Sequence, residues 1–429
     1  MVTTFINRYA RLKNILAVLL TVPLQVCFSQ ALTSKEYKED FNFFWTSINQ
    51  EYCYFNKKST NWQKVKEIYT PLIDNVTTRD EFVAVLEKAL YEIYDHHAIL
   101  NTNTKSSQRL VPSGTDMWAE YINGKPVIVE ARKGFGAAAC GIIAGMEIIE
   151  INDKPVNDAV EAFLPKSLTT NDVEARNFVL RILLAGNHIQ PRKFSLKYKG
   201  TTKDYFPDKN GPTPDNWKYL SIIESKQIGT VGYIRINDCL YDNSLIPAFD
   251  SVMEAMKKTT ALIIDLRETP SGGNTTVARA ILGWFTDKEK FYQKHEYYFE
   301  EKATGVKRSW EEIISPRKGK YYAKPLVILC DHWTGSIAEG ITIGFDALQR
   351  PKTKIIGTAM ARLNGAVYSY QMPNSKINFS FPAERLYHIN GPPREKYLPA
   401  ILLDLTNKQE SSPTDIFIER ALIYFRTLN

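Results

Sequence analysis

The sequence predicts a multidomain α/β protein: a helical N-terminal region, a β-rich middle segment and a larger α/β core. Three observations carry that expectation. Between residues 32 and about 100, apolar residues recur at three- and four-residue spacing, the period of helices with one buried face. From about 110 to 205 the texture changes to short strands punctuated by turn residues. Beyond residue 209, near-continuous apolar strands alternate with amphipathic helices, as in sheets covered on both faces. The segments fall at 32–105, 106–208 and 209–429, after a leader over residues 1–31.

A chain of 429 residues can hold several cores. Its apolar (44%) and charged (24%) fractions exclude wholesale disorder. The net charge of +7 is modest, and beyond Arg8, Arg11 and Lys13 there is no dense basic tract, so no nucleic-acid partner is expected. Those early charges precede the apolar run ILAVLLTVPLQVCF, from Ile15 to Phe28, which suits a secretory leader better than a membrane span. Ser29 and Ala31 offer a cleavage site. The expectation is export to a periplasm or the extracellular space, with no integral membrane span once the leader is removed; an N-terminal anchor helix is the alternative. Cys27, Cys53, Cys140, Cys239 and Cys330 include no CxxC pair or Cys/His cluster, so no metal site is expected. Cys140, Cys239 and Cys330 read as small buried apolar residues.

In chain order, KEYKEDFNFFWTSINQEY and TRDEFVAVLEKALYEIYDHH are the first helices, with Thr78 ahead of Glu81 marking a start. A short strand begins around YDHHAIL. AEYINGKPVIVEARKG reads as a hairpin turning at Asn123-Gly124. AAACGIIAGMEIIEINDKPVNDAVEAFL gives a helical turn, a strand from Glu147 to Asn152, a turn at Asp153 and a helix. In the core, IGTVGYIRI, ALIIDLR and KPLVILC are strands. LIPAFDSVMEAMKK, TTVARAILGWF and SIAEGITIGFDAL are helices. No internal repeat stands out.

Two glycine-bearing turns follow buried strands: DLRETPSGGN, with Gly272 and Gly273, and TGSIAEG, with Ser336. Sites in open α/β sheets form at the carboxyl ends of strands, so both turns can face one crevice. No Lys-Ser/Thr follows Gly273, which argues against a phosphate loop. Ser336 three residues before Glu339 is a capping-box pattern, a structural reason for the serine. A helix N-terminus also stabilises developing negative charge, a chemical reason.

The middle segment resembles a PDZ domain, with Gly141, Ile142, Gly145, Ile148, Ile149, Asn152, Pro155 and Val156 at the characteristic places. ALIIDLRETPSGGN is similar to the "liiDLRnNpGG" signature of the tail-specific, or C-terminal-processing, serine protease superfamily, which includes the tricorn core. KPLVILCDHWTGSIAEG is similar to its nucleophile segment, and KIIGTAMARLNGAVYSYQMPNSKINFSFP to the stretch that follows. The resemblance implies a crotonase/ClpP-like core, a polypeptide substrate, no cofactor and Ser336 as nucleophile. It also implies an oxyanion hole from the backbone N–H groups of Gly273 and Ile337. Nothing in the sequence assigns an oligomeric state.

A serine hydroxyl needs a base. Processing proteases of the bacterial and chloroplast type carry a lysine where this chain has GTAMARLNGA, which contains none. Arg362 lies close by but cannot deprotonate. The tricorn-like branch uses a histidine in a D.H motif and a late glutamate, matched here by Asp95 and His97 in YDHHAIL and by Glu395 in GPPREKYLP. The resemblance therefore implies a Ser336–His97–Glu395 arrangement, defined by role and not by chain order. His96 and His332 stay open as bases, Glu384 and Asp404 as the carboxylate. Asp265 and Arg267 read as an ion pair that holds the loop. The PDZ-like segment implies capture of substrate by strand addition, although PSGTDMW departs from the usual carboxylate loop. The second reading is a non-catalytic scaffold that binds peptides or a lipophilic ligand. An ester-cleaving α/β hydrolase is a poor fit, since no G-x-S-x-G elbow surrounds Ser336.

Overall fold

The computed structural model describes residues 32–406 and 415–428. The expected leader and Cys27 lie outside the described residues. Three helices open the fold: α1 (Ser34–Glu51), α2 (Trp62–Ile73) and α3 (Arg79–Tyr91). Thr33/Glu36 and Thr78/Glu81 close capping boxes on α1 and α3, so the orphan N–H groups at both starts are satisfied. The apolar stripes of these helices, with Phe44, Val65 and Phe82 among them, share one core. After α3 the chain passes Asp95–His97 and enters the short strand β1 (Ile99–Leu100).

The middle segment is an antiparallel sheet of β2 (Met117–Ile122), β3 (Lys125–Ala131), β4 (Glu147–Ile151), β5 (Lys154–Pro155), β6 (Phe194–Tyr198) and β7 (Thr201–Tyr205). Its order is β2-β3-β4-β6-β7, with β5 attached to β4. The β2–β3 turn places Asn123 and Gly124 at φ 50° and 77°, as an Asn-Gly two-residue hairpin requires. Helices α4 (Gly136–Ala139), α5 (Val156–Phe163) and α6 (Val173–Ala185) accompany the sheet. Helix α6 is absent from the sequence expectation. Its signals were present, since Asp172 caps it by accepting from the Glu174 N–H and VEARNFVLRILLA follows. They sat inside a stretch whose other elements read as strands. The short helix α7 (Pro207–Asn210) leads to the core.

The core comprises β8 (Ile223–Ile228), β9 (Val231–Ile236), α8 (Leu245–Met256), β10 (Ala261–Asp265), α9 (Thr275–Leu282), β11 (Lys290–Tyr297), α10 (Tyr298–Thr304), β12 (Arg308–Ile314), β13 (Leu326–Cys330), α11 (Ile337–Ala347), β14 (Thr353–Gly357), β15 (Ala366–Gln371), β16 (Asn378–His388), β17 (Ile401–Leu402) and α12 (Ile416–Arg426). One sheet runs β17-β14-β13-β10-β9-β8, parallel throughout except for the edge pair β8–β9. Every residue of β10 and β13 is buried, as their unbroken apolar runs predict. Ile264 and Ile328 pack under α8, α9 and α11, while Ile263 and Val327 pack under Phe417 and Ala421 of α12.

A second sheet, β1-β16-β11-β12 with β15 on β16, was not expected. Its strands bury Gln293, His295, Glu296 and Glu384, and these polar side chains erase the apolar alternation that marks a strand. The pairing Ile99↔Ser380 and Leu100↔Phe379 ties the segment just after His97 to this sheet.

The DLR turn is an ion pair, as read from the sequence. Arg267 Nη2 lies 2.6 Å from Asp265 Oδ2 and 2.9 Å from Asp415 Oδ2 at the start of α12. Tyr233 donates to Asp265 Oδ2 at 2.7 Å. Replacing one member of a buried pair leaves an uncompensated charge. Arg267→Ala is therefore expected to destabilise the fold by about 3–5 kcal/mol, measured as a lowered urea midpoint.

Candidate active site

The β10–α9 and β13–α11 turns lie side by side because β10 and β13 are parallel neighbours. Gly335 N–H donates to the Thr269 carbonyl at 3.2 Å, joining the two turns. Gly272, at φ 74°, is the glycine pressed on Ser336: a Cβ added there would lie 2.6 Å from Ser336 Cβ and 3.0 Å from its Oγ. Gly273 has a separate reason to lack a side chain, since its Cβ would meet the Leu240 carbonyl at 2.2 Å. Ser336 itself adopts φ 54°, ψ −111°. For a residue with a Cβ this costs about 1–3 kcal/mol. It is held there partly by Glu339, whose Oε2 accepts from the Ser336 N–H at 2.9 Å. The Glu339 half of the capping box is thus made, and the serine hydroxyl faces elsewhere.

It faces His97, whose Nε2 lies 3.1 Å from Ser336 Oγ. The other ring nitrogen, Nδ1, lies 2.6 Å from the Asn364 carbonyl oxygen. A carbonyl only accepts, so Nδ1 carries the proton, and in the neutral ring Nε2 accepts from the serine hydroxyl. Asp95 fixes both ends of this arrangement. It accepts from the His97 backbone N–H at 2.9 Å, from Asn364 Nδ2 at 2.8 Å and from the Tyr52 hydroxyl at 2.8 Å. Burial, aided by the Arg394 guanidinium, pushes the His97 imidazole down to about 4, against the raising influence of the Asn364 carbonyl and Asp95. The ring is therefore neutral at ordinary pH.

The rival histidines are committed to other partners. His96 stacks on Phe178 with ring centroids 4.5 Å apart, and burial holds its imidazole well below the usual range. His332 Nδ1 pairs with Glu130 Oε2 at 2.6 Å and its ring stacks on Trp118. Among the carboxylates, Glu384 pairs with His295 at 2.9 Å, and Asp404 accepts from Thr406.

Glu395 makes no hydrogen bond to His97. Its Oε1 accepts from Lys57 Nζ at 2.9 Å, and the position a triad carboxylate would take at Nδ1 belongs to Asn364. Arg394 links this region to α11: it donates to the Leu363 and Gly365 carbonyls and lies 3.8 Å from Glu339 Oε2. Burial pushes the Glu339 carboxyl up to about 7, with Arg394 and the Ser336 N–H opposing and Glu395 reinforcing. Arg362 turns toward Glu120, 3.9 Å away. The N–H groups of Gly273 and Ile337 donate to no group among the described residues. Asn364, Arg394 and Tyr52 carry no sequence signal of their own, because each acts through a backbone carbonyl or a buried carboxylate that only the fold brings near.

The strand-addition expectation meets an obstacle at β2, an outer strand of its sheet. Asn177 and Arg181, both on α6, occupy its free edge: the Tyr121 N–H donates to Asn177 Oδ1 at 2.8 Å, and Arg181 Nε donates to the Ala119 carbonyl at 3.3 Å. Two of the backbone groups that an added peptide would pair with are therefore already taken.

Over residues 230–401 the chain matches peptidase family S41, and over residues 33–90 the tricorn protease C1 domain, which together span more than half of it. Among solved structures it is similar to mature CPAF, at 17% identity and a TM-score of 0.58, covering 87% of this chain and 94% of that one. It is also similar to the photosystem II D1 C-terminal processing protease, at 15% identity and a TM-score of 0.53, covering 87% and 94%. These likenesses show the fold. With its glycine and serine turns standing in family order, the chain belongs to the tail-specific serine protease superfamily. By class it is a serine-type peptidase, acting on polypeptides.

A ring that is to accept the Ser336 proton must be unprotonated, so under that role the acid limb of reactivity follows the folded-state imidazole. Labelling of Ser336 by a fluorophosphonate is expected to stay high through about pH 6 and to halve near pH 4, below the usual histidine value of about 6.5. A half-point at 6.5 would contradict desolvation of the ring.

Proposed function

We propose that the chain is an exported endopeptidase that hydrolyses peptide bonds through an acyl-enzyme on Ser336, with His97 as general base. The observation that supports this most is the contact of His97 Nε2 with Ser336 Oγ while Nδ1 is held on a carbonyl. As Oγ attacks the scissile carbonyl carbon, its proton passes to Nε2. The oxyanion of the tetrahedral adduct meets the unpartnered N–H groups of Gly273 and Ile337 at the start of α11, a contribution of about 3 kcal/mol per donor in comparable sites. The imidazolium then protonates the leaving amine, and water repeats the cycle in reverse to free the serine.

In this reading Glu395 acts at a distance. Together with Arg394, Glu339 and Lys57 it sets the field around the nucleophile, and Asn364 takes the orienting place beside the ring. Asp95 is a positioning residue. The middle segment serves as a PDZ-like module, a reading supported by its glycine and apolar pattern. Export is supported by Arg8, Arg11 and Lys13 ahead of the apolar run Ile15 to Phe28.

Turnover of unfolded casein tests the proposal. Ser336→Ala and His97→Ala are each expected to lower kcat by about a thousandfold or more. Glu395→Gln is expected to stay within about tenfold of the unmodified chain, because its direct partner is Lys57. If the unmodified chain is inert on casein and on peptides with free C-termini, the reading moves to a binding scaffold.

Asp95 supports the ring without touching it, so Asp95→Asn is expected to shift the acid limb and lower kcat with little change in KM. That split is read from pH–rate profiles of both proteins.

A further inference from the structure

Beside the oxyanion loop lies a cavity of about 300 Å³. Pro270 and Ser271, the residues just before the glycine that touches Ser336, form part of its wall. The wall also holds Phe135, Trp217 and Tyr219, an aromatic cluster in which the Trp217 ring lies 4.7 Å from Phe135 and 5.8 Å from Tyr219. Ser113 and Gly114, from the PSGTDMW stretch that matched no carboxylate loop, close another side. Leu110, which also lines the cavity, is exposed.

Most of the charged side chains in the wall already have partners within the protein. Arg109 Nε lies 2.6 Å from Asp215 Oδ2, and His188 Nδ1 lies 3.2 Å from the same oxygen. Arg132 pairs with Glu268 at 2.8 Å, and Asp238 accepts from both the N–H and the hydroxyl of Ser271. A charged group entering the cavity would have to compete with these contacts, with Arg132 Nε a buried donor that none of them uses. A flat apolar ring would find aromatic faces instead.

Resting on the serine-peptidase reading, we propose that this cavity receives the side chain of the substrate residue next to the scissile bond and selects a neutral aromatic one, phenylalanine or tyrosine. Trp217 Nε1 is a buried donor with no acceptor among the described residues, so a tyrosine hydroxyl is accommodated as well as a bare ring. With the β2 edge covered by α6, side-chain capture at the cleft takes over the recognition that strand addition would supply.

The experiment maps the bonds cut in unfolded casein by the full chain, then compares two peptides that differ only by Phe or Glu at the position so identified. Aromatic residues are expected at one fixed position relative to the cut bond. The kcat/KM of the Phe peptide should exceed that of the Glu peptide by about a hundredfold. Ser113→Trp, which fills the cavity, and Trp217→Ala, which removes its wall, are each expected to shrink that ratio to less than about tenfold. Fluorophosphonate labelling of Ser336 is run on every sample. An unlabelled, inert unmodified chain overturns the serine reading beneath the proposal. A labelled chain that cuts with no aromatic preference overturns the pocket alone, as does a preference that both labelled variants retain.

Discussion

The hydrogen bond from His97 Nδ1 to the Asn364 carbonyl is the constraint on which the rest of the site depends. A carboxylate at that nitrogen would also hold the ring, but it would favour the imidazolium and raise the pKa. A neutral carbonyl fixes the tautomer with a weaker pull on the charge, and burial then keeps the ring unprotonated. A lysine in the same role must be driven down by several pH units before it can accept a proton. Histidine starts close to the working range, so the absence of a lysine in GTAMARLNGA needs no further compensation. Asp95 shows how such a ring is held without being charged. It grips the His97 backbone and the Asn364 side chain, so the two partners of the hydrogen bond move as one body.

That body reaches Ser336 through two long-range stitches. The pairing of β1 with β16 draws the segment after His97 onto the core, and the parallel pairing of β10 with β13 sets the glycine turn against the serine turn. Neighbouring strands stand about 4.8 Å apart, so turns leaving adjacent carboxyl ends must touch. Gly272 is the consequence: at 2.6 Å from Ser336 Cβ no side chain fits, and the strained backbone of Ser336 is enforced from both sides. Arg267 clamps the same turn to α12, which makes the outermost helix part of the support for the innermost loop.

Much of this was legible because it follows from local rules. Unbroken apolar runs announced β10 and β13, Asn123-Gly124 announced its hairpin, and the motifs singled out Ser336 and His97, which the fold brings within 3.1 Å of each other. Other features had no local trace. The second sheet was hidden by buried Gln293, His295 and Glu384, whose polarity cancels the period-two signal. Helix α6 was hidden by its surroundings. Glu395 carried the expected motif but turns to Lys57, since a motif encodes a residue's place in the chain and not the partner that the fold brings to it. Gly273, read only as an oxyanion donor, is also required by the close approach of Leu240.

The closure of β2 by α6 bears on what kind of cut such a site makes. A peptide added to a sheet edge is read mainly through its backbone, and a protease that captures a free carboxylate this way is directed to chain ends. Asn177 and Arg181 engage two backbone groups of the β2 edge, so backbone reading there is obstructed. Beside the turn that carries Gly272 lies instead a cavity with aromatic residues and largely paired charges in its wall, which under the proposal discriminates by side chain. Side chains of that type are buried in folded proteins and exposed in unfolded ones. A site of the proposed kind needs no free terminus, and it would select its substrates by their loss of structure.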